Sequence, residues 1–357
     1  MDRKMKVVVA MSGGVDSSVA AVLLKQQGHE VIGMMLRLWS ETGTEDSNRC
    51  CTPESMALAR RAAAQLDIPF YVVDAKEAFR RTVVQAFLDG YGRGETPNPC
   101  LECNRHIRWT FLLEHALALG ADAMATGHYA RTAPDSNGKV RLLRAVDLGK
   151  DQSYVLHVLN QQQLSRALFP LGEHVKADVR RLAAVHGLPT ATRHDSQDLC
   201  FLAGGDYRDF LRRNRPEMLT VGEIVDTAGA VLGEHTGLPD YTIGQRKGLG
   251  ISATQPMYVV RKELHGNRLV VGTQRDLGID SLIAGDLNWI AGEPPADPFR
   301  AHVKTRYTAA DKPATVVPLE GGRRVQVRFD ENPRDATPGQ AAVFYVGADV
   351  IGGGIIQ

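Results

Sequence analysis

What the sequence lacks narrows its chemistry first. No apolar run reaches membrane-spanning length, and the charged N-terminus has no signal-peptide apolar core, so a cytoplasmic protein with no membrane partner is expected. Excess charge of either sign is also missing. The formal net charge is +1 with 23% charged residues, so any nucleic-acid surface must be a local patch. Cysteine is scarce. Five thiols (Cys50, Cys51, Cys100, Cys103, Cys200) in 357 residues argue against a disulfide framework and for reactive or metal-binding roles. Neither a Walker lysine motif nor a Gly-x-Gly-x-x-Gly fingerprint occurs, which removes the two commonest nucleotide-binding loops. There is no internal repeat.

What is present begins at Met5–Gln27. Val7, Val8 and Val9 suit a strand buried on both faces, and Val19, Leu23 and Leu24 give one face of a following helix. Between them, Ser12-Gly13-Gly14-Val15-Asp16-Ser17 forms a tight turn whose amides, with the helix dipole, would converge on an anion. This segment resembles the PP-loop of the ATP pyrophosphatase superfamily, whose members cleave ATP between its α and β phosphates.

Strand and helix patterns then alternate. Strands are expected at 30–39, 70–73 and 121–126, and helices at 52–66, 76–88 and 104–119, with a polar loop over 40–48. The implied fold is α/β, a doubly wound parallel sheet that binds ligands beyond the carboxyl ends of its strands, near Ser12, Leu36 and Gly127. After about Asp206 the chain breaks into short Gly-punctuated segments, and from Leu282 it alternates as antiparallel strands. Three domains follow: a catalytic domain at 1–205, a small middle domain at 206–280 and a C-terminal β-barrel at 281–357.

The thiols admit several readings. Pro97 and Pro99 deny a helix before Asn104, which would set Cys100 and Cys103 at a helix N-terminus, where thiolate pKa values of roughly 3.5 to 7.5 have precedent. Cys200 lies in a polar segment after Asp195. A zinc deaminase is excluded because no histidine has Glu two residues later. A structural zinc site with His106 or His128, a redox dithiol and inert buried thiols stay open. A nucleotide and a thiol together suggest thiolation: adenylation turns a carbonyl oxygen into a leaving group that sulfur replaces.

The chain resembles the tRNA-specific 2-thiouridylase family over essentially its whole length. Further supporting stretches are Ala125–Tyr129, Lys150–Tyr154, Ser196–Phe201, Gly244–Gly250, Lys304–Tyr307, Thr337–Gln340 and Gly352–Ile356. The resemblance implies ATP on Ala10, Met11, Ser12, Gly13, Gly14, Val15, Asp16, Ser17, Leu36 and Gly127, with Asp16 near Mg²⁺. It implies Cys103 as attacking cysteine, Cys200 as persulfide carrier, and a disulfide between them after transfer. Asn98, Pro99, Cys100, His128, Lys150, Asp151, Gln152, Arg306, Tyr307 and Gln340 would meet the tRNA anticodon stem-loop, whose wobble uridine is the target. A cysteine desulfurase or sulfur-relay protein would supply sulfur. Where the family commonly has Asp, this chain has Cys100. Cys100, Cys103 and Cys200 could therefore hold an iron–sulfur cluster instead. Another PP-loop ligase and a non-catalytic binding module are the remaining alternatives.

Overall fold

A computed structural model describes residues 4–41, 52–193, 199–202, 204–334 and 336–357. Most of the expected 40–48 loop, Cys50, Cys51 and the segment Asp195–Asp198 lie outside the described residues. Among the described residues no helix is long and apolar enough to cross a membrane.

The N-terminal sheet contains β1 (Lys6–Ala10), β2 (Glu30–Arg37), β3 (Phe70–Asp74), β4 (Ala123–Ala125) and, after a hairpin of β5 (Arg131–Pro134) and β6 (Val140–Leu143), β7 (Ala167–Leu168). It is parallel throughout, in the order β3-β2-β1-β4-β7. Alternation puts Val7 and Val9 into one core with Val19 and Ala20, while Val8 enters another with Trp109 and Leu112. All three valines are fully buried, as the unbroken β-branched run requires. The helix α1 (Val15–Gln26) follows β1, and α2 (Pro53–Gln65) is capped by Thr52, which accepts from the Ser55 amide.

Two local expectations are corrected. Pro99 does not block a helix. It occupies the first turn, where a missing N–H costs nothing, and Asn98 caps the turn by accepting from the Cys100 amide. Helical structure runs over 99–118, with a π-helical stretch at Cys103–Leu112. Cys103 therefore lies one turn inside, and Cys100 takes the N-terminal position. The region after Asp206 also opens with a helix, Tyr207–Asn214, because Phe210 and Leu211 have an apolar cluster to enter.

The strands β8 (Gly222–Asp226), β9 (Val231–His235), β10 (Tyr258–Glu263) and β11 (Arg268–Gly272) form a small middle sheet. The last six strands are β12 (Ser281–Trp289), β13 (Phe299–Lys304), β14 (Lys312–Leu319), β15 (Arg324–Phe329), β16 (Ala341–Val346) and β17 (Asp349–Ile356). They close into a barrel through the β12–β17 pairing. β6 extends the barrel by pairing with β17, which fastens the catalytic domain to it.

Candidate active site

The turn after β1 is tied by its own hydroxyls. Ser17 Oγ receives the Ser12 amide at 3.2 Å and donates to the Gly14 carbonyl, as does Ser18 Oγ. Gly13 has φ +71°, and a Cβ there would lie 2.2 Å from the Ser55 carbonyl oxygen. Only glycine fits this approach of α2 to the turn. Arg193 reaches in from far along the chain and donates to the Gly13 carbonyl at 2.8 Å and to Ser55 Oγ at 2.6 Å. Gly127 closes the other side, since a Cβ on it would lie 2.8 Å from the Ser17 amide nitrogen.

Asp16 projects from the first turn of α1. Both of its carboxylate oxygens meet Lys176 Nζ, at 2.7 and 2.8 Å, and Tyr129 donates to Oδ1 at 2.9 Å. Lys176, Arg193 and Tyr129 are thus three groups at the cradle to which sequence reasoning gave no role. Tyr129 could have been noticed beside Gly127, whereas Lys176 and Arg193 come from segments with no local signal.

Beyond the end of β2 lies an apolar cluster of Leu38, Phe79, Phe87, Ile107, Phe201 and Phe210, with Leu36 packed against it. Cys103 is buried in this cluster and Cys200 packs on it, half-buried at the start of a short 3-10 turn. Two thiols distant in sequence are therefore brought to one patch at the carboxyl end of the sheet. Cys100 is exposed, and its carbonyl accepts from Asn104 Nδ2 at 3.0 Å. Among the described residues no three His, Cys, Asp or Glu side chains form a set able to hold a metal ion. The alternative of a three-thiolate iron–sulfur site on Cys100, Cys103 and Cys200 is not supported: one thiol faces solvent while another is buried among aromatic rings.

The barrel completes the site. Tyr307 stands near Cys100. Burial raises its phenol pKa, and the neighbouring Asp151 and Cys100 charges add to this. Gln340 Nε2 donates to the Thr96 carbonyl at 2.7 Å, and the Thr96 amide donates to Pro338, so the barrel grips the loop that leads to Asn98 and Cys100. Arg306 bonds Thr337 Oγ1 at 2.5 Å and the Ile243 carbonyl at 3.4 Å, which links the same barrel turn to the middle domain.

Several residues expected at an RNA surface face inward. Asp151 is 5% exposed, and its oxygens accept from the Ala145 and Ser153 amides and from Ser153 Oγ. Gln152 accepts from the Tyr129 amide, while Lys150 is half-buried. His128 is also 5% exposed: its Nδ1 side meets Thr126 Oγ1 at 2.8 Å, and its Nε2 accepts from Arg108 at 3.1 Å. Burial, followed by the Arg108 charge, holds its pKa well below the usual imidazole value, so the ring is neutral.

The chain matches three family descriptions in succession: a tRNA methyl transferase HUP domain at residues 5–204, a tRNA methyl transferase PRC-barrel domain at 208–273, and an aminomethyltransferase β-barrel domain at 279–356. It is 49% identical to the tRNA-specific 2-thiouridylase MnmA of Roseiflexus castenholzii, with 98% of this chain and 99% of that protein covered. The namesake in Moorella thermoacetica is 48% identical over 98% of this chain and 99% of its own length. That of Geotalea uraniireducens is 47% identical over 100% and 96%. With all three domains matched in order and nearly half the residues shared end to end, the chain belongs to the tRNA-specific 2-thiouridylase family.

Proposed function

We propose that the chain is an ATP-dependent sulfurtransferase that converts the wobble uridine of tRNA to 2-thiouridine. The observation that carries this reading is the joining of Cys103 and Cys200 in one cluster at the end of the sheet where the Ser12–Ser17 cradle opens. A phosphate site and a pair of thiols at the same end of one sheet suit a two-stage reaction in the space beyond it.

In the first stage the uracil C2 oxygen attacks the α-phosphate, pyrophosphate leaves, and the N3 proton is lost. The cradle amides and Lys176 stabilise the phosphate charge. Asp16 would be the carboxylate to hold Mg²⁺ beside the phosphates, with Lys176, which now bonds both of its oxygens, turning to the phosphate charge. In the second stage a persulfide on Cys200 attacks C2 and expels AMP, leaving a C2–S–S–Cys200 adduct. The Cys103 thiolate then attacks the Cys200 sulfur and releases the thiocarbonyl with its N3 proton restored. A Cys103–Cys200 disulfide remains, which a dithiol reductant reopens. The target base must leave its stack to reach this space. Sulfur arrives from a donor such as a cysteine desulfurase or relay protein, and the tRNA substrate implies the cytoplasm.

The test is mass spectrometry of tRNA incubated with the protein, ATP, Mg²⁺ and a persulfide source, with AMP counted in parallel. One 2-thiouridine per AMP is expected. AMP release with unmodified tRNA would overturn the proposal.

A further inference from the structure

The Gly244–Gly250 segment has no part in the chemistry above, yet it lines a cavity of about 620 Å³ between the middle domain and the barrel. Four cationic side chains border it, Arg208 and Lys247 from the middle domain with Arg306 and Arg334 from the barrel, and no Asp or Glu does. Arg208 is matched by Asp206 at 3.1 Å. The other three have no acidic partner among the described residues. Arg306 bonds only the neutral oxygens of Ile243 and Thr337, while Lys247 and Arg334, both exposed, form no ion pair among the described residues. Asp240, which pairs with Arg212, and Asp276, which accepts from the Thr273 amide and hydroxyl, lie outside the lining of the cleft.

The loop is also set in advance. Gly244, at φ +86°, donates to Val259, the Val259 amide returns to Gln245, and Gln245 Nε2 donates to the Lys247 carbonyl. Lys247 is thereby displayed from a backbone pinned to β10. Cations gathered at a cleft whose lining holds no carboxylate repel one another, which an anionic ligand would relieve. They come from two domains and line a cavity of about 620 Å³, room for more than one phosphate, which fits a chain of phosphates better than a single small anion. The position agrees with this. Arg306 faces the cleft while the next residue, Tyr307, stands near Cys100, so a strand presenting a base to the thiols would run its backbone past Arg306.

We propose that this cleft is a phosphodiester-binding site that holds the RNA backbone to one side of the target nucleotide, with Lys247 and Arg334 as its unassigned contacts. The inference rests on the tRNA reading above. Its test is the salt dependence of binding of an anticodon stem-loop RNA to the full chain and to Lys247→Ala, Arg334→Ala and the double variant. Each lost contact should reduce the slope of log K against log salt by about 0.7 to 0.9, and the double variant by roughly 1.5. Lys247→Arg and Arg334→Lys should keep the parent slope, which separates lost charge from misfolding. A parent slope in the double variant overturns the proposal. So does a cleft that takes inorganic pyrophosphate through Lys247 and Arg334 without changing the RNA slope, since that marks a free-polyphosphate site. The slope is measurable whether or not the RNA is thiolated. A parent that binds RNA with this slope but makes no 2-thiouridine defeats the proposed reaction and leaves the cleft assignment standing.

Discussion

The phosphate cradle and the thiol cluster lie at one end of the same sheet and are built in opposite ways. The cradle is local and polar: one strand, one turn and one helix supply Ser12 to Ser18, whose hydroxyls bond within the turn. The thiol site is assembled over long range and held by apolar contact. Cys103 enters from a helix and Cys200 from a segment far along the chain, around Phe79, Phe87, Phe201 and Phe210, while Tyr307 and Gln340 come from the barrel to Cys100 and to the Thr96 carbonyl. The backbone of the cradle is set by one contiguous segment, with Arg193 and Lys176 added from elsewhere in the same domain, whereas the loop that leads to Cys100 and Cys103 is gripped by the barrel. ATP binding should therefore tolerate loosening of the barrel that sulfur transfer does not.

The largest expected effect divides the two regions cleanly. Cys103→Ala should lower thiolation on the order of 10⁴-fold, as removal of a reacting group does, with ATP affinity near the parent value. Quench-flow and nucleotide titration would check this, and substantial residual thiolation would remove Cys103 from the reaction. Asp16→Asn strikes the other side. It takes away the charge that Lys176 and Tyr129 address, and AMP formation should fall about 10²- to 10³-fold, the range seen when one preorganised electrostatic contact is lost. Pyrophosphate release at the parent rate would show that the carboxylate only positions Lys176.

Legibility in the sequence follows the same division. The cradle could be read because its information sits in six adjacent residues, and the parallel sheet because Val7–Val9 and the later strands are unbroken apolar runs. The barrel showed through its alternation. Lys176 and Arg193 could not be read, since nothing near either residue marks that it ends at the turn. The proline pattern places Cys100 and Cys103 before a helix start at Asn104, one turn too late, because Pro99 begins the helix instead of barring it. Asp151 and His128 are charged or polar types that sequence places at a surface, and tertiary packing buried them with partners.

Acid should act on the joint between the two regions. His157 lies at the joint of catalytic domain and barrel: Asn288 donates to its carbonyl at 2.6 Å and Gly353 packs against its ring. Its Nδ1 meets the Tyr154 carbonyl, while Nε2 has no partner among the described residues. Burial, opposed by the Tyr154 carbonyl and Asp286 and aided by the Arg105 charge, brings its pKa down to about 4. The folded value is below the unfolded one near 6.5, so between those limits the unfolded chain binds more protons. Stability is complete above about pH 6.5 and is lost as pH falls toward 4, by about 3 kcal/mol at most for this group. Urea unfolding followed across that range should show the loss, and His157→Leu should flatten it. An unchanged pH slope in the variant would mean that the joint does not set acid stability.

The smallest effect tests whether the barrel tunes the thiol site through the loop it grips. Gln340→Ala removes one hydrogen bond to the Thr96 carbonyl, a net loss of about 1 kcal/mol. Thr96 also keeps its amide bond to Pro338, and Gly339 fits so closely that a Cβ on it would approach Thr96 N to 3.0 Å, so the loop would loosen rather than leave. That bond lies two residues before the Asn98 cap of the helix carrying Cys100 and Cys103. If Gln340 acts by positioning the helix, kcat for thiolation should fall roughly fivefold with little change in KM for tRNA, because 1 kcal/mol is a factor of about five. If it contacts RNA alone, KM should rise and kcat stay, and the barrel would then serve the thiols only as a docking surface.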